Sequence, residues 1–115
     1  MGAGLGIELE ELEHRVILRL EGRVDAASAP ILDKKVTRLI DEDHYHLLLD
    51  FSRVDYLSSA GMRVLLSATK KLLSKKGHLL LFSLSDEVLE VIKMAGFDKI
   101  LRIFSSEKEA IQFHK

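Results

Sequence analysis

The hydrophobic residues of the chain recur at two spacings, one typical of strands and one typical of helices. Residues 7–10 alternate between apolar and acidic. Residues 15–21 follow after a gap short enough for a hairpin, with Val16, Leu18 and Leu20 on one face. Apolar residues then recur at helical spacing after Pro30, which suits a first helical turn. We therefore predict a β-hairpin followed by a helix, whose start Asp25 or Ser28 can cap.

The middle of the chain contains two unbroken apolar runs, at residues 47–49 within the segment 46–51 and at residues 79–82 within the segment 78–82. Such runs are typical of strands that are covered on both faces. Between them, residues 52–58 are predicted to form a turn, and a helix is predicted to begin near Ser59 and to end before Gly77, a favourable C′ residue. The buried stripe predicted for this helix comprises Met62, Leu65, Leu66, Thr69 and Leu73.

The last third of the chain predicts a helix, a short strand and a terminal helix. Ser85 can cap the first of these helices, and Gly96 can end it. Residues 101–104 are predicted to form a short final strand, and Ser106 with Glu109 makes a capping box for the terminal helix. The predicted order is therefore β-β-α-β-α-β-α-β-α.

This alternation predicts an α/β fold in which helices cover a mostly parallel sheet. The initial hairpin makes the sheet mixed, and we expect four to five strands with interspersed helices. The 115 residues suffice for one domain, which we place at residues 7–115. Residues 1–6 are glycine-rich and are predicted to form a flexible tail.

Composition and charge exclude several classes of protein. Hydrophobic residues make up 47% and charged residues 30% of the chain, which indicates a globular rather than a disordered protein. The net charge is −1, without the basic excess of a nucleic-acid binder. The absence of cysteine excludes disulfides and thiolate catalysis and fits a cytoplasmic location. The sequence shows neither a signal peptide nor an apolar run long enough for membrane insertion.

The sequence offers few groups that could carry out catalysis or bind a metal. The nucleophile motif Gly-x-Ser-x-Gly is absent, and the acidic residues cluster only in runs typical of a solvated surface. His44 and His46 lie near Asp43, but a loop entering a strand explains them more simply than a metal site does. We therefore expect no enzyme activity, no cofactor and no metal.

The adjacent serines Ser58 and Ser59 are the strongest candidate site. They lie between a buried strand and a helix, at the end of the strand where function usually resides in open α/β sheets. One serine suffices to cap the helix, which leaves a spare hydroxyl. A helix N-terminus tolerates the charge of a phosphate, so both a simple cap and a phosphorylation site fit these residues.

The residues around these serines resemble the signature of the STAS domain, specifically that of the bacterial anti-sigma factor antagonists. The resemblance is carried by the sequence DFSRVDYLSSAGMRVLL at residues 50–66. It extends upstream to LEGRVD at residues 20–25 and to Ala29-Pro30, and downstream to the pattern LSxxVxxxIxxAGF at residues 84–97. It covers about residues 7–113, nearly the whole chain.

The resemblance implies a binding module rather than an enzyme. Such a protein, when unphosphorylated, binds an anti-sigma factor and thereby frees a sigma factor for transcription. The anti-sigma factor is a serine kinase that phosphorylates the antagonist and ends the binding, and a PP2C-type phosphatase reverses the modification. The charge balance, for its part, predicts no direct contact with nucleic acid.

The resemblance also implies which residues form the site. The family motif is Asp-Ser-Ser/Thr-Gly, and alignment through Gly61 places its phosphorylated serine at Ser59. Ser58 replaces the aspartate of the motif and stays an alternative acceptor, while Ala60 replaces the second hydroxyl residue. The partner-binding residues that the resemblance implies are Asp25, Ser58, Ser59, Ala60, Gly61, Met62 and Arg63.

Two alternative functions stay open at this point. The chain could be a STAS adaptor in another signalling or transport complex, which would not require phosphorylation of Ser59. It could also be a serine hydrolase, which would require a histidine or lysine base within hydrogen-bond reach of Ser59.

Overall fold

The computed structural model describes residues 4–113, and these contain five strands and four helices in the predicted order. The strands are β1 (Leu5–Leu12), β2 (Arg15–Val24), β3 (His46–Leu57), β4 (His78–Phe82) and β5 (Arg102–Phe104). The helices are α1 (Ala29–Asp41), α2 (Ser59–Ser74), α3 (Asp86–Met94) and α4 (Glu107–Phe113). None of the helices in this part of the chain combines the length and the hydropathy that crossing a membrane requires.

The strands form one mixed sheet in the order β1-β2-β3-β4-β5, which confirms the predicted fold class. β1 and β2 are antiparallel, and the other neighbouring strands are parallel. Parallel neighbours need crossover connections, which α1, α2 and α3 provide. The carboxyl ends of β2, β3 and β4 therefore meet at one edge of the sheet, and their amino ends meet at the opposite edge.

Both faces of the sheet are covered, but unequally. Alternate residues of a strand point to opposite faces, so the leucine run at residues 47–49 contributes to two hydrophobic clusters. The larger cluster includes residues of β2, β3 and β4 together with α1, α2 and α3. The smaller cluster is covered by α4 and comprises Ile17, Leu48, Leu80, Phe82 and Ala110.

A single arginine joins α4 to the sheet beside the smaller cluster. The Arg19 guanidinium donates hydrogen bonds to Glu10 of β1 at 2.8 Å, to Asp50 of β3 at 2.9 Å and to Glu107 of α4 at 3.0 Å. These bonds, foremost the one to Glu107, raise the pKa of Arg19. Burial by itself would raise the pKa of Asp50, but hydrogen bonds from the Ser52 N–H and from Arg19 outweigh it and lower that pKa.

The predicted turn at residues 52–58 is wrong, because β3 continues to Leu57. Its second half pairs with the end of β2, and the register shifts twice along this pairing. The shifts place Phe51, Val54 and Leu57 in the core at every third position, whereas a regular strand buries every second one. The hydrophobic pattern of this segment therefore does not look like that of a strand.

The first strand begins at Leu5, within the segment for which a tail is predicted. Leu5 pairs with Gly22 and Gly6 pairs with Glu21, so both residues belong to the sheet. Gly22 has a φ of 116°, and a Cβ there would collide with the carbonyl of Gly4. Residues 1–3 of the predicted tail lie outside the described residues.

The buried stripe of α2 differs from the predicted one at its C-terminal end. Met62, Leu65 and Thr69 are buried as predicted, but Leu72 is buried in place of Leu73, and Leu66 is only half-buried. The C′ residue with left-handed backbone is Lys76, with a φ of 61°, and not Gly77. Gly77 follows it and packs against the backbone of Tyr45, where no Cβ would fit.

The predicted caps of the later helices are confirmed in part. The Ser85 hydroxyl oxygen accepts a hydrogen bond from the Val88 N–H at 3.2 Å. The Ser106 hydroxyl likewise accepts from the Glu109 N–H at 3.2 Å. The Glu109 carboxylate, however, accepts from the N–H and hydroxyl of Ser105 rather than from the N–H of Ser106. Only this second bond of the predicted capping box therefore lies one residue earlier.

Candidate functional site

The candidate site lies at the carboxyl edge of the sheet, where β2 and β3 end side by side. Val24 and Leu57, the last residues of these strands, are paired in register. The Ser58 N–H extends this pairing by donating a hydrogen bond to the Val24 carbonyl at 2.8 Å. Asp25 and Ser58 therefore leave the sheet next to each other, and α2 begins at this point.

Ser58 is the N-cap residue of α2. Its backbone is extended, and its hydroxyl oxygen accepts a hydrogen bond from the Gly61 N–H at 3.1 Å. Its carbonyl accepts the first bond of the helix, from the Met62 N–H at 2.9 Å. The cap predicted from the adjacent serines is thus supplied by Ser58.

Ser59 is the first residue of α2, and its side chain is exposed. Among residues 4–113, no group forms a hydrogen bond with its hydroxyl. The N–H groups of Ser59 and Ala60 belong to the first helical turn, where no intrahelical carbonyl can pair with them. Together with the positive end of the helix dipole, these N–H groups favour a negative charge on the Ser59 side chain.

Asp25 organises the turn that connects β2 to α1. Its carboxylate accepts hydrogen bonds from the Ala27 N–H at 3.1 Å and the Ser28 N–H at 3.0 Å. These bonds, foremost the one from Ser28, lower the pKa of Asp25. Asp25 therefore presents a negative charge held in a fixed position beside the start of α2.

Ser28 occupies the N-cap position of α1, but its hydroxyl caps no helical N–H. The hydroxyl donates instead to the Arg23 carbonyl at 2.6 Å and accepts from the Asp25 N–H at 2.9 Å. The prediction that Asp25 or Ser28 caps this helix through its side chain is therefore wrong. Both side chains instead form hydrogen bonds within the turn between β2 and α1, and these bonds hold the turn closed.

The other residues predicted for the site divide into buried and accessible ones. Ala60 is half-buried, Gly61 and Met62 are buried, and Arg63 is exposed. A Cβ at Gly61 would lie 2.7 Å from side-chain atoms of both Leu57 and Val24. The helix therefore packs so closely against the ends of β2 and β3 that only glycine fits at this position. Arg63 lies four residues after Ser59, and the two side chains therefore share one face of α2.

Arg23 and Tyr56 also border the site, although the sequence assigned them no role. They are paired in register across β2 and β3, and the guanidinium carbon of Arg23 lies 4.3 Å from the Tyr56 ring centroid. Nε of Arg23 also lies 3.6 Å from the Asp25 carboxylate. Tyr56 is 41% exposed, so a partner protein can reach its ring. Their proximity depends on the shifted register between the strands.

The structure offers no support for the hydrolase alternative. Within the described part of the chain, no histidine or lysine forms a hydrogen bond with Ser59. His46 lies at the start of β3, and Ser59 follows its opposite end. No three His, Asp or Glu side chains of residues 4–113 are arranged to hold a metal ion.

Comparisons with known proteins identify relatives along almost the whole chain. The sequence model of the STAS domain family matches residues 6–110. BtrV of Bordetella bronchiseptica, proposed to be an anti-sigma factor antagonist, is 33% identical over 104 residues, and the alignment covers 90% of each chain.

Solved structures show the same fold. An anti-sigma factor antagonist from Mycobacterium paratuberculosis superposes with a TM-score of 0.87 at 20% identity, and the match covers 97% of each chain. The Bacillus cell fate determinant SpoIIAA in its phosphorylated form gives a TM-score of 0.73 at 21% identity, covering 96% of this chain and 100% of that chain.

Proposed function

The chain belongs to the STAS domain family, and from that premise we propose that it is an anti-sigma factor antagonist controlled by phosphorylation of Ser59. In its unphosphorylated form it binds an anti-sigma factor that is also a serine kinase, and so releases a sigma factor. Phosphorylation of Ser59 ends this binding, and a PP2C-type phosphatase restores it. The observation that carries the proposal is the exposed hydroxyl of Ser59, which makes no hydrogen bond within residues 4–113, beside a serine that already caps the helix.

The geometry favours Ser59 over Ser58 as the acceptor. A kinase must reach the attacking hydroxyl, and Ser59 is exposed, whereas Ser58 is half-buried and its oxygen is bonded to the Gly61 N–H. Serine and aspartate are both strong N-cap residues. Ser58 can therefore replace the aspartate of the family motif without loss of the cap, and the acceptor stays at the next position.

We expect the phosphate to act on the interface rather than on the fold. It adds about −1.5 to −2 charges at neutral pH. The first turn of α2 and Arg63, four residues on, tolerate that charge in the free protein. A bound partner would have to bury it near the negative charge of Asp25. A penalty of a few kcal/mol would lower the affinity by orders of magnitude. SpoIIAA, which has this fold, has been solved in a phosphorylated form.

The proposal makes the protein a substrate and a switch rather than an enzyme. Its partners are the kinase and the phosphatase, and it acts in the cytoplasm, where bacterial transcription takes place. The accessible part of the contact surface comprises Ser59, Arg63, Asp25, Arg23 and Tyr56. Gly61 and Met62 are buried, and they contribute by holding α2 against the ends of β2 and β3.

The test combines phosphosite mapping with partner capture from the native cells. Mass spectrometry of the isolated protein should find phosphate on Ser59. Ser59→Ala should capture the same kinase as the wild type, and Ser59→Asp should bind it at least roughly tenfold more weakly, a difference of about 1.4 kcal/mol. Ser67→Asp is the matched control, since Ser67 is another exposed serine of α2.

The outcomes separate the proposal from its alternatives. Equal binding of the kinase by Ser59→Ala and Ser59→Asp would remove the switch. Phosphate on Ser58 would keep the mechanism but move the acceptor by one residue. An absence of phosphate in every growth condition, with a stable partner that is not a kinase, would favour the adaptor function.

A further inference from the structure

The amino edge of the sheet, opposite Ser59, contains a cavity of about 710 Å³. It is bordered by the β1–β2 hairpin, the starts of β3 and β4, and the last residue of α4. Sites for small molecules usually measure about 300–1,000 Å³, so the cavity has the size of a ligand site. The proposed switch makes no use of this edge of the sheet.

Three basic or titratable side chains from adjacent strands converge in the cavity. His46 and His78 are paired in register across β3 and β4, and their ring centroids are 5.8 Å apart. Arg15 is the first residue of β2, and its neighbour Val16 pairs with Leu47, the residue after His46. These residues are far apart in the sequence, and only the parallel register brings them together.

The Arg15 side chain has a hydrogen-bond donor in the cavity that lacks an acceptor in the described part of the chain. Its Nε is buried, and no group of residues 4–113 accepts a hydrogen bond from it. A buried donor without an acceptor costs free energy. An oxyanion is the natural partner of a guanidinium group, because its oxygens match the planar fork of N–H donors.

The positive charge around the cavity increases as its histidines are protonated. Burial, and then the charges of His78, His14 and Arg15, lower the pKa of His46. The Asp43 carboxylate accepts a hydrogen bond from the Tyr45 hydroxyl at 2.9 Å, which holds its position but leaves its negative charge. The basic groups and histidines lining the cavity are Arg15, His14, His44, His46 and His78, the acidic groups are Glu11 and Asp43, and Tyr45 is the remaining titratable group.

The remaining wall is apolar and would receive an organic group. Leu12, Val16, Tyr45 and Phe113 line this side of the cavity. The Phe113 ring contacts the His78 ring edge-on, with centroids 5.7 Å apart, and Arg102 lies over its face at 5.1 Å. An inorganic ion would leave this wall unused, whereas a small organic acid would cover it.

We propose that this cavity binds a small organic oxyanion, a carboxylate or a phosphate monoester, through Arg15, His46 and His78, with its organic part against Phe113. Histidine donates to an oxyanion from both nitrogens only when it is protonated. Binding therefore strengthens as the pH falls and His46 becomes protonated. The bound anion in turn raises the pKa of His46.

Nuclear magnetic resonance titration of the whole chain tests this proposal. The probes are benzoate and phenyl phosphate, added at constant ionic strength, with the imidazole signals of His46 and His78 as the readout. We expect saturable shifts of both. Benzoate keeps its charge between about pH 6 and pH 8, and its affinity should be at least about threefold higher at the lower pH. Binding of only one probe would narrow the ligand class to carboxylates or to phosphate monoesters.

Matched variants keep the test decisive. Arg15→Gln should abolish the saturable shifts, and Arg53→Gln, the same change on an exposed arginine elsewhere on the sheet, should preserve them. If Arg15→Gln does not fold, Phe113→Ala serves instead and should weaken phenyl phosphate more than inorganic phosphate. The proposal is refuted if neither probe gives saturable shifts, or if both arginine variants bind alike.

Discussion

Replacing Ser58 by alanine should destabilise the protein, whereas replacing Ser59 by alanine should leave its stability nearly unchanged. The two serines are adjacent and chemically identical, so any difference must come from their surroundings. The Ser58 hydroxyl accepts the Gly61 N–H at 3.1 Å, while the Ser59 side chain is exposed and unbonded within the described part of the chain.

The expected loss of stability in Ser58→Ala follows from the loss of the helix cap. An N-cap serine replaced by alanine costs about 0.5–2 kcal/mol. Gly61 is buried, so its N–H would be left without a partner and without water, which places Ser58→Ala at about 1–2 kcal/mol. For a chain of this length, that lowers Tm by roughly 4–8 °C. Ser59→Ala removes no bond and should stay within about 0.5 kcal/mol of the wild type.

Urea unfolding followed by circular dichroism measures both variants against the wild type. The midpoint should fall for Ser58→Ala, and the slope of the transition should not change, since the surface exposed on unfolding is the same. Ser58→Asp is the control that restores the cap, and its stability should match or exceed that of the wild type. The reasoning fails if Ser58→Ala is as stable as the wild type, or if Ser59→Ala is equally destabilised.

Three further variants test the packing and the charges by the same unfolding experiment. Gly61→Ala places a Cβ 2.7 Å from Leu57 and should cost about 1–3 kcal/mol; a cost below about 0.5 kcal/mol would contradict the close packing. Arg19→Met leaves Asp50 without its cation and should cost about 1–2 kcal/mol near neutral pH. Since the pKa of Asp50 is lowered on folding, its contribution is present above about pH 3.8 and is lost below it, so wild type and variant should converge in acid. The pKa of His46 is also lowered on folding, so stability should fall as the pH drops below about 6.5, and His46→Gln should flatten that slope; an unchanged slope would contradict the assignment.

The order of the elements could be predicted because it depends on local patterns. The leucine run at residues 47–49 reads as a strand covered on both faces, and both clusters of the core use it. Helical spacing, the serine pair at residues 58–59 and the cap at Ser85 likewise predict α2 and α3. These features depend on residues close in the sequence, whose preferences act before any tertiary contact forms.

The second half of β3 was predicted to be a turn, and the error has a physical reason. A strand is recognised by alternation, and the register shifts against β2 bury Phe51, Val54 and Leu57 at every third position instead. The shifts are a property of two paired strands, and neither strand shows them alone. The role of Gly77 could not be predicted for the same reason, because it allows the backbone of Tyr45, a residue distant in the sequence, to pack closely against it.

The fold class, the start of a helix near Ser59 and the resemblance to a family all follow from the sequence alone. The folded structure is needed to show which of the two serines caps the helix and that Asp25, Arg23 and Tyr56 lie around them. The histidine-lined cavity at the opposite edge likewise forms only in the folded sheet. Periodicity and capping residues can be recognised within one segment of the sequence. Which residues of different strands lie close together depends on the register of the strands, which only the folded sheet establishes.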